Sequence, residues 1–345
     1  MDKMGKGWSK DKLVAIGLFL IGVAPLFLSS CALIEKKPTK PITFPMIFQS
    51  DEYVVCRLKG GESPASLAKR FLGDTKRSWV IEDANEGVPF EKGQMIVIPL
   101  KEKNKGGLSA EGYQVVPVLS YHRLAKNCKS SPCTPTHILD QQIRYLKDNG
   151  YRVITSRELL HFLRYSRSLP KRSVVITIDD GFRSAYTIAY PILKKYGFTA
   201  TLFIYTDYIG ISKKALTWSQ LREMKADGFE VGSHTITHSD LSKKREGEDD
   251  QAYIARIERE LLVSKQIIDK KLNQNTIYLA FPYGRYNQRV LRICDQVGYK
   301  MAFSVKRGGN PFFADSLHLK RDQILKTDMK NFIDSLKTFH KFSLK

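Results

Sequence analysis

The sequence is poor in acidic side chains and in the residues that build thiolate metal sites. Its 345 residues include 5 cysteines and 7 histidines, and 35 aspartates and glutamates stand against 56 lysines and arginines. No second close cysteine pair accompanies Cys128 and Cys133, so a zinc–thiolate site is not expected. The formal charge of +21 predicts anionic surroundings, such as cell-wall polymer, lipid headgroups or nucleic acid. The basic residues are spread along the chain without a nucleic-acid-binding signature, so nucleic acid is not an expected partner.

The few cysteines still carry information about compartment and packing. In an oxidising compartment Cys128 and Cys133 could close a small loop, although spacing alone does not establish the bond. Cys56 and Cys294 lie in apolar patterns and are predicted to be buried thiols.

The N-terminus has the pattern of a secretory signal. Four lysines precede an uncharged stretch at residues 13–30, as a basic n-region precedes an apolar h-region. The ending at residues 28–31 resembles a bacterial lipobox, which implies cleavage before Cys31 and lipidation of its sulfur. The alternative is an uncleaved membrane anchor, because the stretch is just long enough to span a bilayer. Both interpretations, a lipoprotein signal or a membrane anchor, predict an extracytoplasmic, membrane-attached protein. Ala32, in place of aspartate, favours the outer membrane if the source is Gram-negative.

The chain is long enough for one large domain and a small one. Prolines after Cys31 suggest a flexible tether, and a Lys/Gly-rich segment separates a small unit from the remainder. The predicted boundaries are 1–30 for the lipoprotein signal, 31–52 for the tether, 53–100 for the small unit, 101–112 for the linker and 113–345 for the large domain.

The small unit combines two apolar strands, at residues 53–56 and 93–99, with an intervening helix. Ser63 is the predicted N-cap of that helix, with Pro64 at its first position. The order strand–helix–helix–strand, together with Trp79 and Asn85, resembles a LysM module. The resemblance implies binding to glycans that contain N-acetylglucosamine. The alternative is a small βααβ spacer that has lost binding.

From residue 113 onward, apolar strands alternate with helices. This pattern indicates a parallel sheet wrapped by helices, either as a barrel or as an open doubly wound sheet. The predicted strands are 115–120, 174–178, 199–204, 229–232, 278–281 and 301–304, and the predicted helices are 140–149, 184–196, 218–227 and 253–272.

Two adjacent carboxylates, Asp179 and Asp180, close the apolar stretch 173–178 just before Gly181. Such a pair at the end of a buried strand is costly unless a metal ion or a catalytic proton lies between the groups. A break in the strand at Gly181 could turn both side chains toward one pocket. An ordinary turn or helix cap is the alternative interpretation.

Two histidines four residues apart, His234 and His238, follow another predicted strand. A His-x-x-x-His spacing lets both imidazoles reach one metal ion, although surface histidines show the same spacing. Both motifs lie at carboxyl ends of strands, where folds of this kind assemble active sites. One carboxylate and two imidazoles would leave metal positions open for water, as catalysis requires.

Taken in order, these motifs resemble the polysaccharide deacetylases of carbohydrate esterase family 4, the NodB-like fold. The resemblance runs from about residue 113 to the C-terminus. Residues 116–122 and 281–284 are most similar to the branch that acts on exported poly-N-acetylglucosamine. The resemblance implies the fold class α/β, a distorted (β/α) barrel of NodB type preceded by the small βααβ LysM-like module.

The resemblance also implies roles for individual residues. Asp180, His234 and His238 would be metal ligands, most readily for Zn²⁺, with Ni²⁺, Co²⁺ or Mn²⁺ as alternatives. Asp179 would be the catalytic base, or else a support for a ligand. The backbone N–H of Tyr283 would stabilise the oxyanion.

Two departures from the family pattern leave roles open. The arginine that often orients the base is missing before 281–284, and Arg321 or Arg183 could replace it. The proton donor is commonly a histidine in a Leu-x-His motif, but His318 is one residue out of register. His318 is therefore one candidate for the proton donor, and the alternative is that it is a surface histidine without function. His122 is a second candidate, and the alternative is that it is a strand-end histidine without function.

These interpretations predict a metal-dependent N-deacetylase acting on N-acetylglucosamine in an extracytoplasmic polysaccharide, either poly-N-acetylglucosamine, peptidoglycan or a chitin-like chain. The alternative is a non-catalytic, glycan-binding envelope lipoprotein with a decayed deacetylase domain.

Overall fold

The computed structural model describes residues 46–102, 104–325 and 328–342. The predicted signal, the lipidation site Cys31 and the tether up to residue 45 lie outside these described residues. Within the described ranges, no helix is both long enough and apolar enough to cross a membrane.

The small unit, residues 46–99, is a three-stranded antiparallel sheet with two helices. Ser63 caps the first helix as predicted, since its hydroxyl accepts from the backbone N–H of Ser66, and Pro64 occupies the first turn. The side chain of Asn85 bonds the backbone N–H and C=O of Val97 and so ties the second helix to the last strand. The strand–helix–helix–strand order is thus present, with an additional edge strand. Its elements are β1 (Met46–Gln49), β2 (Tyr53–Arg57), α1 (Pro64–Leu72), α2 (Ser78–Ala84) and β3 (Met95–Pro99).

The remainder of the chain alternates strands and helices. The strands are β4 (Leu108–Ser109), β5 (Gly112–Val116), β6 (Val118–Tyr121), β7 (Arg123–Ala125), β8 (Cys133–Pro135), β9 (Arg152–Val153), β10 (Ser173–Asp180), β11 (Thr201–Ile204), β12 (Glu230–Ser233), β13 (Tyr278–Ala280), β14 (Met301–Phe303), β15 (Asn310–Pro311), β16 (Asp322–Gln323) and β17 (Phe339–Lys341). The helices are α3 (Thr136–Asp148), α4 (Ser156–Leu163), α5 (Tyr190–Lys195), α6 (Trp218–Ala226), α7 (Asp250–Leu272), α8 (Gln288–Val297) and α9 (Met329–Asp334).

A parallel sheet organises this larger part, in the strand order β14-β13-β12-β11-β10-β6-β16. Both faces of the central strand β10 are buried, as its continuous apolar run predicts. Val174, Ile176 and Ile178 belong to one buried cluster with residues of α3, α5 and α6. Val175 belongs to a second cluster with residues of β11 and β14. Each such fully buried side chain contributes about 1.5–3 kcal/mol relative to exposure.

Several sequence predictions need correction. The predicted strand 115–120 is two strands, because Pro117 has no N–H for the ladder: β5 pairs with β15 and β17, and β6 pairs with β10 and β16. The predicted helix 184–196 begins as a π-helical turn, Ala185–Ala189, before α5. The helices α4, α8 and α9 were not predicted.

Four cysteines lie within the described residues. Cys128 and Cys133, whose pairing the sequence left open, are joined by a disulfide bond, and Cys56 and Cys294 are free and buried as predicted. Burial raises the pKa of the Cys56 thiol to about 11, so this group is un-ionised at neutral pH.

Candidate active site

The two sequence motifs meet at the carboxyl edge of the parallel sheet. Asp180 is in register with Ile204 of β11, and Ile204 with Ser233 of β12. His234 directly follows Ser233, so the last residue of β10 and the first residue beyond β12 lie at the same level. The parallel register therefore brings together groups that are 54 residues apart in the sequence.

Asp180, His234 and His238 form a compact cluster of possible metal ligands. One donor atom from each residue lies within 4.8 Å of the others. Among the described residues, this is the one group of three or more His, Cys, Asp or Glu side chains that could hold a metal ion. The Nε2 atoms of His234 and His238 are 3.5 and 3.3 Å from Oδ1 of Asp180. An oxygen and two imidazole nitrogens are donors that zinc and similar divalent ions accept.

Hydrogen bonding around the cluster fits a cation at its centre. Oδ1 of Asp180 is buried and has no hydrogen-bond partner among the described residues. Nδ1 of His234 lies 2.7 Å from the carbonyl oxygen of Ala280, and an N–H donated there leaves Nε2 free to bind a metal ion. Burial raises the pKa of the Asp180 carboxyl, but the two imidazoles lower it more, and the net pKa lies well below the ordinary value. The carboxylate is thus in the form that a metal ion requires.

The backbone around the cluster is strained. Asp180, Thr235, His238 and Tyr283 have φ values of 74°, 73°, 60° and 59°, a region that non-glycine residues seldom occupy. Each such residue costs on the order of 1 kcal/mol, and such strain persists where the surroundings enforce it.

Glu260 of α7 enforces the conformation of the histidine loop. Its buried carboxylate accepts hydrogen bonds from the backbone N–H groups of Ile236 and Thr237, at 2.9 and 3.0 Å, and from the Thr237 hydroxyl at 2.6 Å. Sequence reasoning missed this residue. Its signal was a charged side chain on the apolar face of α7, between Ile257 and Leu261.

Asp179 is held by Arg321 and lies outside the ligand cluster. Nη1 and Nη2 of Arg321 are each 2.8 Å from a different carboxylate oxygen of Asp179, and both side chains are buried. Burial raises the pKa of Asp179, but the Arg321 guanidinium, His234 and His122 together lower it more, so the net pKa lies below the ordinary value. Of the two arginines that the sequence left open, Arg321 occupies this place, whereas Arg183 is exposed and donates to the carbonyl of Lys213.

The two candidate proton donors lie in different surroundings. Nε2 of His122 is 4.0 Å from Oδ2 of Asp179, and burial lowers the pKa of His122 although Asp179 partly offsets this. His318 does not line the cavity at the cluster. It pairs with Asp315 at 3.3 Å and stacks on Tyr286. The structure thus brings His122 to the site and does not bring His318.

A cavity of about 330 Å³ lies over these groups. Tyr283 forms part of its rim, with 56% of its surface exposed and its ring 4.8 Å from the ring of His238. Sequence reasoning missed two further wall segments, Ser131–Pro132 and Gln323 with Leu325. The residues lining the cavity are His122, Ser131, Pro132, Asp179, Asp180, His234, His238, Phe281, Tyr283, Gly284, Val305, Arg321, Gln323 and Leu325.

Several known proteins are similar to this chain in sequence and in fold. The family described as polysaccharide deacetylase matches residues 166–302. YxkH of Bacillus subtilis (strain 168), provisionally named a polysaccharide deacetylase, is 31% identical over 235 residues, which cover 66% of this chain and 80% of that protein. The chain belongs to the polysaccharide deacetylase family and is a hydrolase that acts on carbon–nitrogen bonds.

One further relative and two solved structures are also similar to this chain. The poly-β-1,6-N-acetyl-D-glucosamine N-deacetylase of Staphylococcus aureus (strain MRSA252) is 34% identical over 177 residues, and the match spans 48% of this chain and 59% of that protein. The Streptococcus pyogenes deacetylase PplD, solved with acetate, has 30% identity and a TM-score of 0.59 over 66% of this chain and 99% of its own. IcaB from Ammonifex degensii shares the fold, with 23% identity and a TM-score of 0.58 over 65% of this chain and 97% of its own. These likenesses confirm the predicted distorted barrel.

Proposed function

We propose that this polysaccharide deacetylase is a divalent-metal-dependent N-deacetylase, which removes acetyl groups from N-acetylglucosamine residues of an extracytoplasmic polysaccharide. The observation that carries the proposal is the division of labour at one strand end. Asp180 faces two imidazoles, whereas its neighbour Asp179 is held apart from them by Arg321.

The cluster of Asp180, His234 and His238 is the proposed metal site, with Zn²⁺ as the first choice and Ni²⁺, Co²⁺ or Mn²⁺ as alternatives. When bound, such an ion supplies Lewis acidity that polarises a carbonyl group and lowers the pKa of water. The three residues leave room for further ligands, because the cavity opens directly above them.

Asp179 is the proposed general base. It takes a proton from the water that attacks the acetamide carbonyl. The two contacts from Arg321 hold the carboxylate in one orientation, which a planar guanidinium does better than an ammonium group. General base catalysis of this kind contributes about 10²–10⁴-fold in rate.

The oxyanion that forms during attack needs a donor. We assign this role to the backbone N–H of Tyr283, a residue on the cavity rim with a left-handed backbone conformation. A backbone donor fixed by such a turn needs no rearrangement as the charge develops.

His122 is the proposed proton donor to the departing amine, in place of His318. It lines the cavity and lies beside Asp179, whereas His318 points to Asp315. Burial lowers the pKa of His122, and the neighbouring carboxylate of Asp179 partly offsets this by favouring the protonated imidazole.

The proposed polymer is poly-N-acetylglucosamine, with peptidoglycan as the second candidate. Similarity to the Staphylococcus aureus enzyme named for poly-β-1,6-N-acetyl-D-glucosamine favours the first. The LysM-like order of the small unit favours β-1,4-linked chains such as peptidoglycan, to which that unit would bind.

Lipidation at Cys31 would attach the enzyme to a membrane outside the cytoplasm, in the outer membrane of a Gram-negative cell.

The non-catalytic alternative loses its main support. That alternative depended on the absence of an arginine before residues 281–284 that would orient the base. Arg321, directly before β16, instead makes two contacts to Asp179. We therefore retain the enzyme as the only proposal.

Acetate release from defined polymers tests the proposal. We expect the purified protein to release acetate from β-1,6-linked or β-1,4-linked N-acetylglucosamine oligomers, to lose this activity with a chelator and to regain it with Zn²⁺, Ni²⁺, Co²⁺ or Mn²⁺. A ranking of the two linkages decides the substrate. No release from either oligomer by metal-loaded protein would refute the proposal.

A further inference from the structure

The disulfide loop, residues 128–133, forms one side of the active-site cavity. Ser131 and Pro132 line the cavity together with the catalytic residues, and both are exposed to solvent. Cys128 and Cys133 are bonded across the base of the loop. The bond therefore closes the segment that lines the cavity.

The base of this loop is continuous with His122. Arg123, the next residue, begins β7, which pairs in parallel with β8 so that Arg123 is in register with Cys133. The same bond thus closes the loop and sits at the strand pair that follows the proposed proton donor.

The two sides of the loop are held by different contacts. Beyond Cys133, the buried hydroxyl of Thr134 donates to the carbonyl of Ile324, beside the opposite cavity wall at Gln323 and Leu325. Before Cys133, the contacts that hold the tip come from Arg123, whose Nη2 donates to the carbonyl and the hydroxyl of Ser130 at 3.2 and 2.9 Å.

Composition makes this tip dependent on its crosslink. Residues 126–132 contain no helix or strand, and Lys126, Lys129 and Ser130 are exposed. A polar, exposed segment buries little apolar surface, so it orders itself at a large entropic cost unless it is crosslinked.

We infer that the disulfide loop is a substrate-binding wall, and that the bond between Cys128 and Cys133 holds Ser131 and Pro132 in place against the sugar ring of an N-acetylhexosamine residue. This inference rests on the proposed function. The wall is uncharged at the cavity, which suits a neutral acetylated sugar. Its ordering before the substrate arrives strengthens binding, because a preorganised wall loses little entropy on binding.

The role makes a specific kinetic prediction. Reduction of wild-type protein, or the double substitution Cys128→Ser/Cys133→Ser, should raise KM for an N-acetylglucosamine oligomer about three- to tenfold, the loss expected when one segment must be ordered on binding. The value of kcat should change less than about twofold, since the metal ligands, Asp179 and Arg321 lie on other segments and His122 directly follows β6, which β10 and β16 hold in place. Metal content of the variant should stay that of the oxidised protein, and Tm should fall by only a few degrees, as the loss of a short crosslinked loop predicts.

Reductant added to the double variant is the matched control. It should have no further effect on KM, which excludes an action through the buried thiols Cys56 and Cys294. Calorimetric titration of the oligomer into oxidised and reduced protein gives a second readout that does not need turnover, and affinity should fall by the same factor as KM rises.

The outcomes separate this inference from the proposed function. Inactive oxidised wild type contradicts the proposed function, and calorimetry then still tests the wall. Active wild type with an unchanged KM and affinity in the double variant overturns the wall. Loss of metal or a collapse of kcat in the double variant also overturns it, because the bond would then be a general structural support.

Discussion

The two ends of strand β10 carry charged residues in contrasting surroundings. At the carboxyl end, Asp179 and Arg321 form a pair whose side chains are 2% and 0% exposed. At the amino end, Lys171, two residues before the strand, pairs with Glu86 of the small unit, and these side chains are 58% and 64% exposed. Removing one partner of a buried pair leaves an uncompensated charge, whereas an exposed pair contributes about 0–1 kcal/mol.

The backbone differs in the same way. At the amino end the chain is regular, with β9 in parallel register beside the start of β10. There the backbone N–H of Lys171 donates to Asp83, and Arg152 pairs with Glu82. Both acidic residues belong to α2, so this edge of the sheet contacts α2 of the small unit. At the carboxyl end, Asp180 has a positive φ and a carboxylate oxygen that accepts no hydrogen bond from the described residues. Strain and unsatisfied polarity mark the reactive edge, and satisfied surface pairs mark the docking edge.

The largest expected effect is at the ligand cluster. His234→Ala should lose bound metal and lower kcat/KM by at least about 10³-fold, because one of three protein ligands is gone. Metal analysis and acetate release measure both quantities. The exposed histidine His161 provides the control, since His161→Ala should leave both unchanged. Full metal content in His234→Ala would contradict the assignment of the cluster.

The next effect concerns the proton donor. His122→Asn should lower kcat on N-acetylglucosamine oligomers about 10²–10³-fold, because the amine must leave protonated. On an aryl acetate the loss should be less than about threefold, since that leaving group departs without a proton. His318→Asn serves as the control and should stay within about twofold on both substrates. An equal loss on both substrates in His122→Asn would show that His122 has another role.

A smaller effect is expected from the residue that orients the base. Arg321→Lys keeps the positive charge but loses the two-point contact to Asp179, so kcat should fall about 10–100-fold with metal content retained. Arg183→Lys is the matched control and should be silent. If the two variants have the same kcat, Arg321 does not orient the base.

The smallest effect is expected at the amino end of β10. Lys171→Ala should lower the free energy of unfolding by less than about 1 kcal/mol, since the pair with Glu86 is exposed, and kcat should not change. Chemical denaturation and acetate release measure these quantities. A large loss of activity would contradict the contrast between the two edges.

Local patterns in the sequence were enough to predict some of this site. The pairs Asp179–Asp180 and His234–His238 each lie within a few residues of one another and each follows an apolar strand, so their position at one sheet edge could be expected. Arg321 could only be named as one of two candidates, because it reaches Asp179 from 142 residues away and sequence contains no direct record of that pairing. His318 lies one residue out of register with its motif, and it is not among the residues that line the cavity.

Other features depend on tertiary context. Pro117 divides a run that reads as one strand, and the two halves join different partners. Glu260 looks like a surface charge by type, yet its carboxylate is buried because three donors of the histidine loop converge on it. The alternation of elements predicted a parallel sheet wrapped by helices, and the family resemblance added the distorted barrel, whereas the positions of these residues needed the packed structure.

The most direct measurement compares Asp179→Asn with Asp180→Asn for metal content and acetate release, side by side with wild type. Separate roles predict that Asp179→Asn retains metal and loses turnover by about 10³-fold, whereas Asp180→Asn loses metal and turnover together. Full activity in Asp179→Asn, or equal loss of metal in both variants, would contradict the assignment of one carboxylate to the proton and the other to the metal.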